Sequence, residues 1–187
     1  MKKYLFLSLL VCGYLMAGGI DTNSVKVEFE GFKTPDMIGT KGTFSDVKLT
    51  FGKDDSTLSS QLKDASAVLS PKSIDMGDDN GDITKNIRDV FFKAFNSQND
   101  IKVSFEDVIE GNNSGFISAK VTIGKKSDIV PMKHTIEEGK FVSKGQLDLS
   151  AFSNSAKALK ALSDAAAGHM GVSWPIVDIS LSADMAK

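Results

Sequence analysis

Imidazole is the side chain best suited to move a proton or grip a polar head group near neutral pH, and this chain supplies only two, His134 and His169. His134 shares strand parity with Met132 and Ile136, so the imidazole faces whatever those apolar residues cover. There it serves either as a hydrogen-bonded structural histidine or as a contact for the polar end of a ligand. His169 follows Gly168 and stands close to Gly171, a setting that reads as a loop. No Gly-x-Ser-x-Gly elbow, phosphate-binding glycine loop, dinucleotide fingerprint or His-Glu-x-x-His helix accompanies them. Carboxylates are plentiful, but without a cleft around them their abundance assigns no acid or base. The inventory predicts neither catalytic residues nor a cofactor.

Three other features could carry chemistry. The run Asp75-Met76-Gly77-Asp78-Asp79-Asn80-Gly81-Asp82 has the composition of a calcium loop. With Gly81 at the sharp-turn position, however, the first and last ligands would be Met76 and Ile87, and neither coordinates calcium. The run is read as a solvated turn rich in helix-capping residues, and no metal site is expected. Asn112, in Glu110-Gly111-Asn112-Asn113-Ser114, is a glycosylation acceptor. The acid two residues upstream is similar to the extended acceptor sequence of certain glycosylating bacteria, and an unmodified turn is the competing reading. The single cysteine, Cys12, follows Val11 where a lipoprotein leader has a small residue, which argues against lipidation.

Cys12 also lies in a segment expected to be removed. Lys2 and Lys3 precede an apolar run from Tyr4 to Met16, which leads to Ala17, Gly18 and Gly19. Such a run falls short of the roughly 20 residues that a stable membrane helix needs. Residues 1–19 therefore read as a cleavable signal peptide, and residues 20–187 as a single mature domain in the periplasm or secreted, with no integral membrane anchor. Without Cys12 the mature chain has neither disulfides nor thiolate metal ligands, so packing must hold it. The formal charge of -2 becomes more acidic once Lys2 and Lys3 are lost, which argues against a nucleic-acid partner. A hydrophobic fraction of 41% with 25% charged residues suits one globular domain.

The elements that would position these residues are mostly strands. Val25, Val27 and Phe29 alternate with Lys26, Glu28 and Glu30, and Val47, Leu49 and Phe51 alternate with Lys48 and Thr50. The same period recurs in Ile101, Val103 and Phe105, in Ile117 to Ile123, and in Val177 to Ala183. Further strands are expected near Ala65 to Pro71, Val130 to Ile136 and Phe141 to Leu149, giving about eight. The connections at Glu110 to Gly115, Gly124 to Ser127 and Glu137 to Lys140 are too short for parallel crossovers. The fold class is therefore all-β, an antiparallel lipocalin-like barrel that closes on itself to cover its apolar face. Pro131 is expected at a bulge or a strand end.

Two segments break the strand period. From Asp82 to Phe95 the residues Ile83, Ile87, Val90, Phe91, Ala94 and Phe95 fall at helical spacing, with Asp82 or Thr84 available as the cap. From Ser150 to Ala167, Phe152, Ala156, Leu159, Leu162 and Ala166 form one face, and Gly168 offers a stop. Each amphipathic helix would either lie over the barrel as a lid or simply close its core.

Ile38-Gly39-Thr40-Lys41-Gly42-Thr43-Phe44 followed by Leu49-Thr50-Phe51 resembles the second-strand signature of the YceI-like lipid-binding proteins. Ser73-Ile74-Asp75-Met76-Gly77, Arg88-Asp89 and Phe91-Phe92 are similar to that family's Ser-Ile-Asp-Thr-Gly, Arg-Asp and Phe-Phe motifs, and Val121-Thr122-Ile123 with Val130-x-Met132 to its Leu-Thr-Ile strand and hairpin. The resemblance spans about Val25 to Ala183. It implies an extended barrel, bacterial periplasmic residence, a long amphiphile (polyisoprenoid, isoprenoid quinone, fatty amide or acid) in the bore, and no enzyme activity. Met76 departs from the family threonine, and the stretches Asp78 to Asn86 and Ser153 to Gly168 are longer than the family's connections, where a mouth or lid would sit.

Small residues (Ala65, Ala67, Ala119, Ser143, Gly145, Ala183) are expected inside with large ones, which fits a hollow bore or an interdigitated solid core equally. The candidate ligand-contacting residues are Phe29, Phe44, Phe51, Phe91, Phe95, Phe105, Val121, Met132, His134, Phe141, Phe152, Leu159 and Trp174, with His134 or Arg88 at the polar end. A lipid carrier or scavenger is the leading function. A solid-barrel interaction module and a lipid-modifying enzyme using His134 are the alternatives, and a second copy of the chain is an open partner.

Overall fold

The computed structural model describes residues 18–96 and 100–186; the leader expected over residues 1–19 lies, up to Ala17, outside them. Ten strands form one antiparallel sheet: β1 (Lys26–Lys33), β2 (Ile38–Phe44), β3 (Val47–Thr50), β4 (Ser66–Leu69), β5 (Ile74–Asp75), β6 (Ile101–Glu110), β7 (Ser114–Ile123), β8 (Lys126–Glu137), β9 (Lys140–Asp148) and β10 (Ser173–Asp184). Their order is β3-β4-β6-β7-β8-β9-β10-β1-β2-β5. The last strand, β10, is hydrogen-bonded on one side to β9 and on the other to β1. The chain itself joins the two edge regions, because β2 leads into β3 across only Ser45 and Asp46. Ser45 donates from its backbone N–H (2.9 Å) and its hydroxyl (3.0 Å) to the Ser73 carbonyl, which pins that bend. The result is a curled, barrel-like sheet.

The two strands beyond the eight expected are β2 and β5. Gly39 and Gly42 hide the period in β2, and close approach explains Gly42: a Cβ there would meet Phe29 Cζ at 2.5 Å and Met76 Sδ at 2.6 Å. The missing side chain lets Phe29 pack beside Phe44, with ring centroids 5.4 Å apart. Pro131 lies neither at a bulge nor at a strand end. It sits inside β8 opposite Ser118, just before the stretch where β9 begins to pair at Lys133, so its missing N–H is not needed on the open side.

One end of the barrel is plugged. There the first and last described segments pair through an Ile20–Met185 bridge and an Asp21 N–H to Asp184 carbonyl bond of 2.8 Å. Helix α1 (Leu58–Leu62), which the strand period did not reveal, inserts Leu58 and Leu62 into the core. Its buried Gln61 accepts from Ile20 N–H (2.6 Å) and donates to the Ile20 carbonyl (3.0 Å), so an internal amide satisfies a strand end.

The helix expected from Asp82 to Phe95 is present as α2 (Asp82–Lys85), a π-helical segment (Asn86–Phe91) and α3 (Phe92–Phe95) in direct succession. Its cap is neither Asp82 nor Thr84. The Asp78 carboxylate accepts from the backbone N–H groups of Ile83 (2.7 Å) and Thr84 (3.1 Å) and from the Thr84 hydroxyl (2.6 Å). Those bonds, the Thr84 hydroxyl foremost, hold the Asp78 pKa below its usual value. Much of the acidic run thus serves as turn and cap; Asp75 likewise accepts from Gly77 N–H at 2.9 Å. The second helix is shorter than expected, α4 (Ser155–Ala165), and buries Ser155, Ala158, Leu162 and Ser163. Ala156 is exposed, because the helix begins only after left-handed Asn154 and the buried stripe is counted from there. Among the described residues no helix is long and apolar enough to cross a membrane.

Candidate functional site

A cavity of about 770 Å³ lies between the concave face of the sheet and the helices, so the bore is hollow and its volume is that of a small-molecule site. Residues from Leu181 to Ser173 on β10 line it, a run of roughly 26 Å at about 3.3 Å per residue. The wall is set by strand parity: Val27 and Phe29 on β1, Val103 and Phe105 on β6, Val121 on β7 and Met132 on β8 all point inward.

The roof depends on the π-helical segment. Residues four apart drift by about 40° per step around an α-helix, which would carry a long row of them off the cavity. Here the Phe92 N–H bonds to the Ile87 carbonyl, five residues back, and the widened turn takes up that drift. Ile83, Ile87, Phe91 and Phe95 all line the cavity as one row, joined by Phe92. Their rings pack on each other, with Phe91 and Phe92 centroids 5.1 Å apart edge to face and Phe91 and Phe95 5.4 Å apart. Alongside, α4 contributes Leu159 and Leu162.

The exposed members of the lining are concentrated at the start of α2 (Asp82, Ile83, Lys85) and after the α4 core (Ala165, Ala167, Gly168). That is where the cavity opens. Both segments fall within the stretches that the sequence marks as longer than the family's connections.

Polar groups converge on this mouth. Ser163 Oγ donates to the Leu159 carbonyl at 2.9 Å, Ser163 and Ser173 hydroxyls are 2.8 Å apart, and His169 Nδ1 is 2.7 Å from Ser173 Oγ. A hydroxyl has one proton. Ser163 spends its proton on Leu159, so Ser173 donates to Ser163 and must accept from His169. The imidazole therefore carries its proton on Nδ1, which leaves Nε2 as an acceptor. Burial pushes the His169 pKa down, and the nearby Lys33 ammonium pushes it further, so the ring is neutral at neutral pH. Lys33 is the register partner of Ser173 and lines the cavity too; among the described residues it forms no ion pair. The indole of Trp174 lines the same region and donates to the Thr34 carbonyl at 2.7 Å.

Of the residues picked out in the sequence, the cavity brings together Phe29, Phe44, Phe51, Phe91, Phe95, Phe105, Val121, Met132, Leu159 and Trp174. Three lie elsewhere. His134 and Phe141 belong to the plugged end, one strand step past Met132, both 0% exposed with ring centroids 5.4 Å apart. Phe152 packs behind the roof on Phe95, at 6.5 Å. Arg88 is also away from the bore, where its guanidinium donates to the Ile74 carbonyl and ties the roof helix to β5. His134 is hemmed in: a Cβ on Gly115 would come within 2.5 Å of its Cε1. Neither His134 nitrogen has a hydrogen-bond partner, nor has the hydroxyl of Ser143 opposite it on β9. Burial lowers the His134 pKa, and the Glu110 charge offsets only part of this. Sequence reasoning missed His169 and Lys33, whose relation to the mouth depends on long-range pairing. Asn112 sits at the exposed turn between β6 and β7.

No family model matches the sequence, and no curated protein is significantly similar to it. Solved structures do match. A polyisoprenoid-binding domain from Saccharophagus degradans aligns with a TM-score of 0.59 at 13% identity, covering 91% of this chain and 99% of that one. BcnA from Burkholderia cenocepacia aligns at 0.57 and 17% identity over 90% and 99% of the two chains. The Campylobacter jejuni YceI protein aligns at 0.54 and 17% identity over 100% of both. A hollow antiparallel barrel, plugged at one end and roofed by helices, that aligns with these proteins over nine-tenths or more of its length has the YceI-like fold.

Proposed function

We propose that the protein is a periplasmic binding protein that holds one long-chain amphiphile, a polyisoprenoid, isoprenoid quinone or fatty amide or acid, as carrier or scavenger. The observation that carries this reading is the cavity of about 770 Å³, lined mostly by apolar side chains and with Lys33, His169 and Ser173 at its mouth. Burying a chain there gains about 25 cal/mol per Å² of apolar surface, while the polar end stays near water. The fold shared with a polyisoprenoid-binding domain supports the same reading. Binding is favoured over catalysis because the two imidazoles occupy opposite ends of the barrel and share no hydrogen bond. A hollow bore supports this reading over an interaction module built on a solid barrel.

Lipid extraction and native mass spectrometry of protein purified from its own host test the proposal. A copurifying amphiphile is expected, and delipidated protein should melt lower. Adding a long-chain amphiphile at about 100 times its Kd should restore about 2.7 kcal/mol of stability, which for a domain of this size is a Tm shift of roughly 5–10 °C. No copurifying lipid and no shift with any amphiphile would overturn it.

A further inference from the structure

The reading above leaves the head group open, and the hydrogen bonds at the mouth restrict it. The chain of donors runs one way, from His169 Nδ1 to Ser173 Oγ (2.7 Å), from Ser173 to Ser163 Oγ (2.8 Å) and from Ser163 to the Leu159 carbonyl (2.9 Å). Every proton in it is committed, and its terminus is a backbone carbonyl that can only accept. The order therefore cannot reverse without leaving the Leu159 bond unmade. The consequence for a ligand appears at the other end of the chain: His169 lines the cavity, and its Nε2, the ring nitrogen left without a proton, offers only a lone pair. Beside it, Lys33 offers donors and no acceptor.

We infer that the mouth selects amphiphiles whose head group carries an O–H or N–H donor together with an acceptor, as in a long-chain alcohol, a phenol or hydroquinone, or a primary amide, over ethers, esters and fully oxidised quinones of the same chain. The donor of the head group bonds to His169 Nε2, and its oxygen accepts from Lys33. Ser173 and Ser163 are positioning residues that fix the tautomer and do not touch the ligand. This selectivity rests on the lipid-binding reading and deepens it. A head group that only accepts finds Lys33 but makes no bond to Nε2, so it forgoes one neutral hydrogen bond at the mouth.

The test uses the full mature chain and two probes, farnesol and farnesyl methyl ether, which differ by one proton donor. Binding is read from the fluorescence of Trp174, the single tryptophan, which lines the cavity. Farnesol should bind the wild type about three- to tenfold more tightly than the ether, the range of one neutral hydrogen bond. His169→Phe, with its fold checked by circular dichroism, should bind both probes equally, and Ser173→Ala should shrink the preference while keeping the ring. Equal affinities for the two probes in the wild type overturn the head-group inference and leave the carrier reading standing. If neither probe binds, and no longer amphiphile does, the carrier reading falls and this inference with it. The wild-type comparison decides the matter even if a variant does not fold.

Discussion

The two ends of the barrel each hold a histidine, and the two are treated in opposite ways. At the plugged end His134 is 0% exposed, packed at a tilt against Phe141, with both nitrogens unpartnered. At the mouth His169 is only half-buried, and its Nδ1 is held by a hydrogen-bond chain that crosses from β10 to α4. The first is packed as though it were a hydrophobe and carries the desolvation cost of a polar group without its bonds. The second gives up burial and gains a fixed tautomer. In this fold, then, stability and recognition are separated along the bore, with the plug sealing one end and the longer connections shaping the other.

Substitutions at the two ends should break that separation if it is wrong. The largest effect is expected at the plug: Phe141→Ala removes a fully buried ring and should cost about 3–5 kcal/mol in urea unfolding, whereas Ile83→Ala at the mouth should change stability by less than about 0.5 kcal/mol. Comparable losses would mean that the mouth is part of the core. Next comes the roof. Leu159→Asp puts a charge on the cavity face of α4, forfeiting about 1.5–3 kcal/mol of apolar contact with a bound chain. The strand signal in circular dichroism should persist while ligand release accelerates about tenfold or more, provided α4 can swing outward. Global unfolding would place α4 in the core, and unchanged release from a folded variant would remove it from the gate.

The smallest effect is a matter of pH. The folded-state pKa of His134 lies below its ordinary 6.5, so as pH falls beneath 6.5 the unfolded chain takes up a proton that the native ring does not. Stability is complete above that value and declines as the pH drops from it toward the lower folded-state pKa. His134→Leu should flatten most of this decline, leaving the part due to half-buried His169, which is lowered in the same sense. It should also raise stability at neutral pH by about 1 kcal/mol, since two unpaired nitrogens are removed. An acid sensitivity unchanged in His134→Leu would assign it to other groups.

Much of the wall was legible because strand parity is a local property. Phe29, Phe105, Val121 and Met132 could be placed inward from their immediate neighbours alone. Parity gives the face and not the depth, which is why His134 shares its face with Met132 yet lies beyond the cavity floor. The roof row of Ile83, Ile87, Phe91 and Phe95 was legible as a helix, but its shared direction depends on a π turn that four-residue spacing does not announce. The buried stripe of α4 keeps Leu162 from the expected face but takes in Ser155, Ala158 and Ser163, whose places on it apolar spacing does not announce. Ser163 is buried because Ser173, from another strand, satisfies its hydroxyl. Lys33 and His169 were invisible as a pair, since only the β1–β10 register brings Lys33 opposite Ser173.

That register has a kinetic side. Because β10 pairs with β9 and β1 at once, the first strand of the barrel stays an open edge until the last one arrives, and no local hairpin can substitute for it. Contacts of such long sequence separation slow folding. A chain emerging in order, N-terminus first, would pair β1 with β2 early but keep its other edge open through most of its passage, until β10 arrives in one late step. The ligand site would become competent only then, since the mouth-side chemistry of Ser173 and Trp174 is built from the opening residues of that same strand. Time-resolved folding should accordingly show cavity binding appearing together with the final phase of strand formation, and not before it.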